Sequence, residues 1–219
     1  MNSWNGLNNR HKGEIALVIG NGPSLVDIPL DFLKKYPSFG TNKIYLLDGF
    51  QPTYYAAVNP LVIEQVGNRI NNIDYEAKFI TAFYTQHLLT DALPLYSSVI
   101  PAFSRHPEEW IYEGYTVTYV CLQLALYMGF AVVLLVGVDH NYEFEGRPNE
   151  MKLAWGEDKN HFHPEYFSNG NKWHNPDLVQ SERAYRMAKT VYDSEGRRII
   201  NLTPGSALEI FEKGDYREW

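Results

Sequence analysis

The sequence predicts an α/β fold of the Rossmann-like kind: a mostly parallel sheet with helices on both faces and an inserted lid. Three observations carry this. Residues 15–19, IALVI, are uninterrupted apolar residues that run directly into Gly20-Asn21-Gly22-Pro23, so a strand buried on both faces meets a tight turn and a helix start. Apolar runs of strand length then alternate with stretches of helical period along the chain. Residues 131–138, AVVLLVGV, form the strongest strand, and Asp139 stands at its carboxyl end, where open α/β sheets bind ligands.

Taken in order, residues 1–13 are polar and read as a flexible N-terminal arm, with 14–219 as a single domain. The two glycines and Asn21 of the first turn allow positive φ, and Pro23 suits the first position of a helix. A strand, a glycine turn and a helix start make a row of N–H groups suited to phosphate. A plain strand-to-helix turn explains the same residues. The Walker lysine is absent, and Leu25 stands where a dinucleotide fingerprint has Gly or Ala.

A short helix is expected over 25–36, stopped by Pro37, and a second strand over 44–47. A third strand covers 54–58 and ends at Asn59-Pro60, with a helix over 61–70. Further strands are expected over 78–83 and 97–100. Residues 116–128 place Val117, Val120, Cys121, Leu124, Ala125 and Met128 on one helical face, with Gly129 as the stop. Residues 140–177 have no steady period but crowd histidines, rings and acids together, and read as a lid over the active site. A helix over 178–194 follows, supported by Glu182 and Arg186 one turn apart. A last strand over 198–201 and a short helix over 207–211 complete the chain.

The 219 residues carry a net charge of −7 with no basic run, which argues against a nucleic-acid or anionic-membrane surface. Cys121 is the single cysteine, so no internal disulfide forms; its place in the helical pattern marks it as core. The longest apolar run, 129–138, is too short for a transmembrane segment. A soluble, cytoplasmic protein is expected. Tyrosine and tryptophan are plentiful, which suits stacking on sugar or base rings as well as core packing.

GNGPSL after the first strand, Gly40-Thr41-Asn42, the 54–61 stretch YYAAVNPL, the 116–128 helix, Gly137-Val138-Asp139, the late histidines and NLTPGS at 201–206 occur in one order. In this order the chain resembles the small bacterial sialyltransferases. The broader 6-hydroxymethylpterin diphosphokinase-like family shares the frame, and HFHPEY and WHNP, at 161–166 and 173–176, look closer to it. The sialyltransferase resemblance implies a donor carried on cytidine monophosphate (CMP). It puts Asn21, Gly22, Pro23 and Ser24 by the phosphate, Asn42 and Asn59 on the donor, and Asp139 and Tyr142 facing nucleotide and leaving phosphate. The carboxamides of Asn42 and Asn59 also suit turns and caps, and Asp139 suits a cap. The family's Ser-Gly pair before the middle helix is replaced here by Tyr115-Thr116-Val117-Thr118, where Thr116 or Thr118 supplies a hydroxyl.

Glycosyl transfer needs a base for the acceptor hydroxyl, a task histidine performs near neutral pH. His174, just ahead of the 178–194 helix, is the first choice and His161 the second. Packing of the lid is the competing explanation. His161, His163, Glu165 and His174 match no common metal-ligand spacing, and no Asp-x-Asp pair is present. The function expected is a metal-independent glycosyltransferase with no cofactor beyond its nucleotide-sugar donor, acting on a surface glycan acceptor. The donor sugar expected is a sialic or related nonulosonic acid. The family also admits a homo-oligomer. The alternatives are pyrophosphoryl transfer from ATP to a pterin and a non-catalytic nucleotide-binding module.

Overall fold

A computed structural model describes residues 3–167 and 170–219. Residues 1–2 of the expected arm and 168–169 of the expected lid lie outside the described residues. The strands are β1 (Ile15–Ile19), β2 (Ser38–Thr41), β3 (Tyr54–Ala57), β4 (Ala77–Thr81), β5 (Leu93–Leu95), β6 (Val132–Val136), β7 (Met151–Leu153), β8 (Lys172–His174), β9 (Arg198–Asn201) and β10 (Glu212–Lys213). The helices are α1 (Leu30–Leu33), α2 (Pro60–Asn71), α3 (Ala82–Thr85), α4 (Val117–Tyr127) and α5 (Leu178–Ser194).

Eight strands form one sheet in the order β10-β9-β6-β1-β2-β3-β4-β5. Each neighbouring pair in it is parallel. The chain builds outward from β1 to β5, then crosses back to place β6 on the other side of β1. Strand order therefore reverses between β1 and β6, the position at whose carboxyl side open α/β sheets bind ligands.

The alternation along β1 shows why its run is apolar throughout. Ala16 and Val18 pack with α4 and α5 on one face, whereas Leu17 and Ile19 pack with α2 on the other. Both faces of the sheet are covered, as a parallel sheet requires. Helix α4 is buried almost all round, with Cys121 fully enclosed and its thiol pushed up by burial. Gly129 closes the helix at φ +90°.

Several expected elements differ. The second strand is Ser38–Thr41, and Ile44–Leu46 is a 3-10 turn entered through Asn42 at φ +50°. The 25–36 helix is two short pieces, a 3-10 turn over Pro23–Asp27 and α1, parted near Pro29. The edge strand is Leu93–Leu95; Ser97 makes only an isolated bridge to Ile111. Residues 207–211 form no helix, and β10 follows them.

Residues 3–13, expected as a flexible arm, pack instead against α4. Leu7 is fully buried, Trp4 lies 5.3 Å from Phe79 and 5.9 Å from Tyr127 between ring centroids, and the N–H of His11 donates to the Met128 carbonyl at 2.8 Å. Two apolar residues in a polar stretch cap the end of the core that α4 leaves open.

In the 140–177 segment, β7 and β8 pair as an antiparallel hairpin. The segment is tied to the sheet's carboxyl edge: the Phe162 N–H donates to the Asn21 carbonyl at 2.9 Å, and Lys43 Nζ donates to the Tyr166 carbonyl at 2.5 Å. Burial lowers the Lys43 ammonium, with the Asp158 charge opposing.

Candidate functional site

A cavity of about 380 Å³ lies at the crevice where strand order reverses. Gly20 and Asn21 reach it from the end of β1, and Gly137 and Val138 from the end of β6. Because the sheet is parallel, the helices that follow its strands point their N-termini at this edge. Asn59 and Pro60 of α2, Thr116, Val117 and Thr118 of α4, and Asp177 and Leu178 of α5 all line the cavity. Three helix N-termini thus point their dipoles at it, while the Glu113 and Asp177 carboxylates also line it. Among the described lining residues there is no Lys or Arg.

The residues expected at the site divide. Asn21, Asn42, Asn59, Thr116, Thr118, Tyr142, His161 and His174 all line the cavity. Gly22, Pro23, Ser24 and Asp139 do not. The reason is internal pairing: the Asp139 carboxylate accepts the Ser24 N–H at 3.0 Å and its hydroxyl at 2.8 Å. The N–H group expected to face phosphate at Ser24 is already held by an anion of the protein itself. Burial pushes the Asp139 carboxyl up, while its two bonds from Ser24 draw it down. A Cβ built at Gly22 would collide with the Asp139 carboxylate, so the glycine makes room for this cap. Asn59 is a cap as well, its Oδ1 accepting the Leu61 N–H at 3.0 Å, and Thr116 caps α4 by accepting the Thr118 N–H at 3.3 Å.

Three carboxamides give the cavity its distinctive chemistry. Asn21 Nδ2 donates to the Thr41 carbonyl at 3.1 Å and to its hydroxyl at 2.9 Å. Asn175 Nδ2 donates to the Glu145 carbonyl at 2.8 Å and the Arg147 carbonyl at 3.1 Å. A carbonyl only accepts, so both amides are fixed in orientation. Their Oδ1 atoms, and that of Asn42, are buried with no hydrogen-bond partner. Buried acceptors left open cost about 1–3 kcal/mol each.

Backbone strain gathers here too. Of the five non-glycine residues with positive φ among the described residues, Asn42, Tyr115, His140 and Asn149 line the cavity. Tyr115, at φ +62°, follows Gly114 at φ +63° and holds a half-exposed ring at the rim. Left-handed conformations are costly for a bulky residue, and such costs concentrate at functional sites.

His161 and Asp158 form a pair. His161 Nδ1 lies 2.8 Å from Asp158 Oδ2, and both side chains are largely buried. The imidazole stacks flat on Tyr166 at 3.9 Å and stands edge-on to Phe167 at 5.1 Å. Burial works to raise the Asp158 carboxyl, but the His161 bond and charge and the N–H groups of Asn160 and Phe167 outweigh it and hold it low. A carboxylate on Nδ1 leaves Nε2 as the nitrogen that takes a proton. His174, on β8, is exposed, and its ring has no hydrogen-bond partner among the described residues. Tyr142 stands between the two roles, with its ring centroid 6.4 Å from that of His161. Among the described residues, no three His, Cys, Asp or Glu side chains gather where they could hold a metal ion.

Sequence reasoning missed His140, Tyr115, Glu113 and Asn175. His140 follows Asp139 at φ +54°, its side chain 7% exposed, with Nε2 at 3.4 Å from Glu182 Oε1. Burial lowers its imidazole, and Glu182 opposes this. Burial raises the Glu113 carboxyl, with the Ser97 hydroxyl opposing from 2.5 Å. Of these, only Asn175-Pro176 ahead of a helix carried a local signal, that of a turn residue at a helix entry.

No family model matches the chain, and no curated protein matches it. The fold is shared with two solved structures. One is the MAf glycosyltransferase from Magnetospirillum magneticum AMB-1, with TM-score 0.60 and 13% identity over 97% of this chain. This chain spans about a third of that protein, 35% of its length. The other is the sialyltransferase CstII from Campylobacter jejuni in complex with a substrate analogue, cytidine-5'-monophosphate. It matches with TM-score 0.55 and 16% identity over 92% of this chain and 85% of that one. At these identities the likeness is one of fold.

Proposed function

We propose that this protein transfers a sugar from a nucleoside monophosphate donor, a CMP-linked sialic or related nonulosonic acid, to a glycan hydroxyl. The observation that carries the reading is the cavity's place at the carboxyl edge of a parallel sheet where strand order reverses. Three helix N-termini meet there, and no Lys or Arg lines it among the described residues. The proposed donor carries two negative charges, one on the phosphodiester and one on the sugar carboxylate, and far less phosphate charge than a triphosphate, which has to be clamped. A triphosphate asks for a cationic clamp, and Lys43 is instead held against Tyr166 and Phe167. The fold shared with glycosyltransferases supports the same reading.

In this reading His161 is the general base. Its Nε2 takes the proton from the acceptor hydroxyl as the new C–O bond forms and the bond from sugar to phosphate breaks. The Asp158 carboxylate stabilises the imidazolium that results. The Tyr142 hydroxyl and the N-terminus of α4 face the departing phosphate, a role that needs donors and no proton exchange. His174, the first choice from sequence, lacks an orienting partner and serves better as part of the cavity wall.

The test is CMP release from a CMP-sialic acid donor, alongside thermal shift with CMP and ATP without added metal. Wild type should be stabilised by CMP, by about 2.7 kcal/mol at one hundred times its Kd, and less by ATP at the same concentration. His161→Ala should lose about a hundred- to ten-thousand-fold in turnover with CMP binding intact. A magnesium-dependent preference for ATP would overturn the donor assignment. Full turnover in His161→Ala with loss in His174→Ala would return the base to His174.

A further inference from the structure

A second cavity, of about 430 Å³, lies within the 140–177 segment. Phe167, Trp173 and Asn175 line both cavities and form the wall between them. The His161–Asp158 pair spans the same wall: His161 faces the first cavity and Asp158 the second. The general base assigned above therefore stands where the two spaces meet.

The lining of the second cavity has a definite chemistry. Trp155, 75% exposed, and Trp173 present indole rings to it, and Phe167 lies 5.8 Å from Trp173 between centroids. Indole faces stack on the C–H faces of sugar rings, whose rims carry hydroxyl donors. Acceptors for those donors are supplied by Glu143, Glu145 and Glu157. Its two cations are already engaged, with Lys152 Nζ 2.9 Å from Glu150 and Lys159 Nζ 3.7 Å from Glu143. No Arg lines it among the described residues. The space is acidic on balance, which repels a carboxylate, sulfate or phosphate on the ligand.

We propose that this second cavity is the acceptor subsite and that it takes a neutral or amine-bearing glycan, with Trp155 as its stacking platform. The inference rests on the glycosyl-transfer reading for its role, but the binding it claims is measurable without a donor. It excludes acceptors that end in a uronic acid, a sialic acid or a phosphorylated sugar.

The experiment uses an array of immobilised neutral, amino, uronate-bearing and sialylated oligosaccharides, probed with the labelled full chain. Wild type should bind neutral or amino glycans. Trp155→Ala, which removes an exposed ring, should lower that signal at least tenfold while CMP still shifts its melting temperature as in wild type. The double variant Glu145→Lys, Glu157→Lys should gain signal on the uronate-bearing or sialylated set. Strongest wild-type binding to anionic glycans, no binding on the array, or a signal unmoved by Trp155→Ala would each overturn the proposal. Failure of CMP to bind, with neutral-glycan binding intact and Trp155-dependent, would instead remove the donor reading and leave the sugar site standing.

Discussion

Tyr115 holds a left-handed backbone at φ +62° although nothing in its own chemistry favours one, and its ring is half exposed at the rim of the cavity. Relief of that strain is measurable. Tyr115→Gly should stabilise the protein by about 1 kcal/mol in urea unfolding while weakening CMP binding. Equal stability and equal affinity would mean that the ring and its conformation are incidental. His140 is a second residue whose cost is visible. Burial lowers its imidazole below the ordinary value of 6.5. Above pH 6.5 the ring is neutral folded and unfolded, and stability is at its full value. As pH falls below it, the unfolded chain takes up a proton that the folded chain resists, so stability is lost progressively toward the lowered folded pKa. His140→Asn tolerates the same φ and removes the titration. Its unfolding free energy should therefore fall less than that of wild type between pH 7.5 and pH 5. Parallel pH slopes would show that His140 is not the group responsible.

The turn after β1 is the element where a functional and a structural explanation compete most closely. Its glycine, proline and helix start suit phosphate, yet Asp139 arrives from the end of β6 and fills the position. Two strands adjacent in space, and far apart in sequence, are joined by this carboxylate. Gly22→Ala should destabilise by about 1–3 kcal/mol through overpacking against Asp139 and the Gly137 carbonyl. Ser24→Ala should cost about 1 kcal/mol as a lost partner of the cap. Chemical denaturation measures both, and CMP affinity in the folded variants should change by less than about threefold, below 0.7 kcal/mol. A large loss of affinity at unchanged stability would restore the turn to the ligand site.

At the scale of the whole molecule, the site exists because strand order reverses between β1 and β6, and because three helices begin at one edge of one parallel sheet. The first described residues close the opposite end of the core. Leu7 is fully buried there and Trp4 packs on Phe79 and Tyr127. Leu7→Ala should cost about 2–5 kcal/mol in urea unfolding, the range for a buried leucine. A dangling arm would show no change.

Much of the architecture was legible from local pattern. The strand Ile15–Ile19, the helix Leu178–Ser194 and the strand Arg198–Asn201 stand where their periodicity and apolar runs put them. So does α4 with its glycine stop. The strand at Ser38–Thr41 was hidden because its residues, Ser-Phe-Gly-Thr, carry little strand preference of their own and are held by β1 and β3 on either side. The same division runs through the site. Asn21, Asn42, Asn59, Thr116, Thr118, Tyr142, His161 and His174, named from the family resemblance and from the crowded histidines of the 140–177 segment, line the cavity. The pairing of Asp158 with His161, the capture of Ser24 by Asp139 and the approach of His140 and Tyr115 carried no local signature. By itself the sequence determined the layers of the fold and the buried cysteine, since periodicity and turn chemistry act between near neighbours. Tertiary structure alone decided which polar groups face the cavity and which face each other. A hydrogen bond between residues as far apart as Ser24 and Asp139 depends on how the strands are ordered in space, and that order is a property of the assembled sheet.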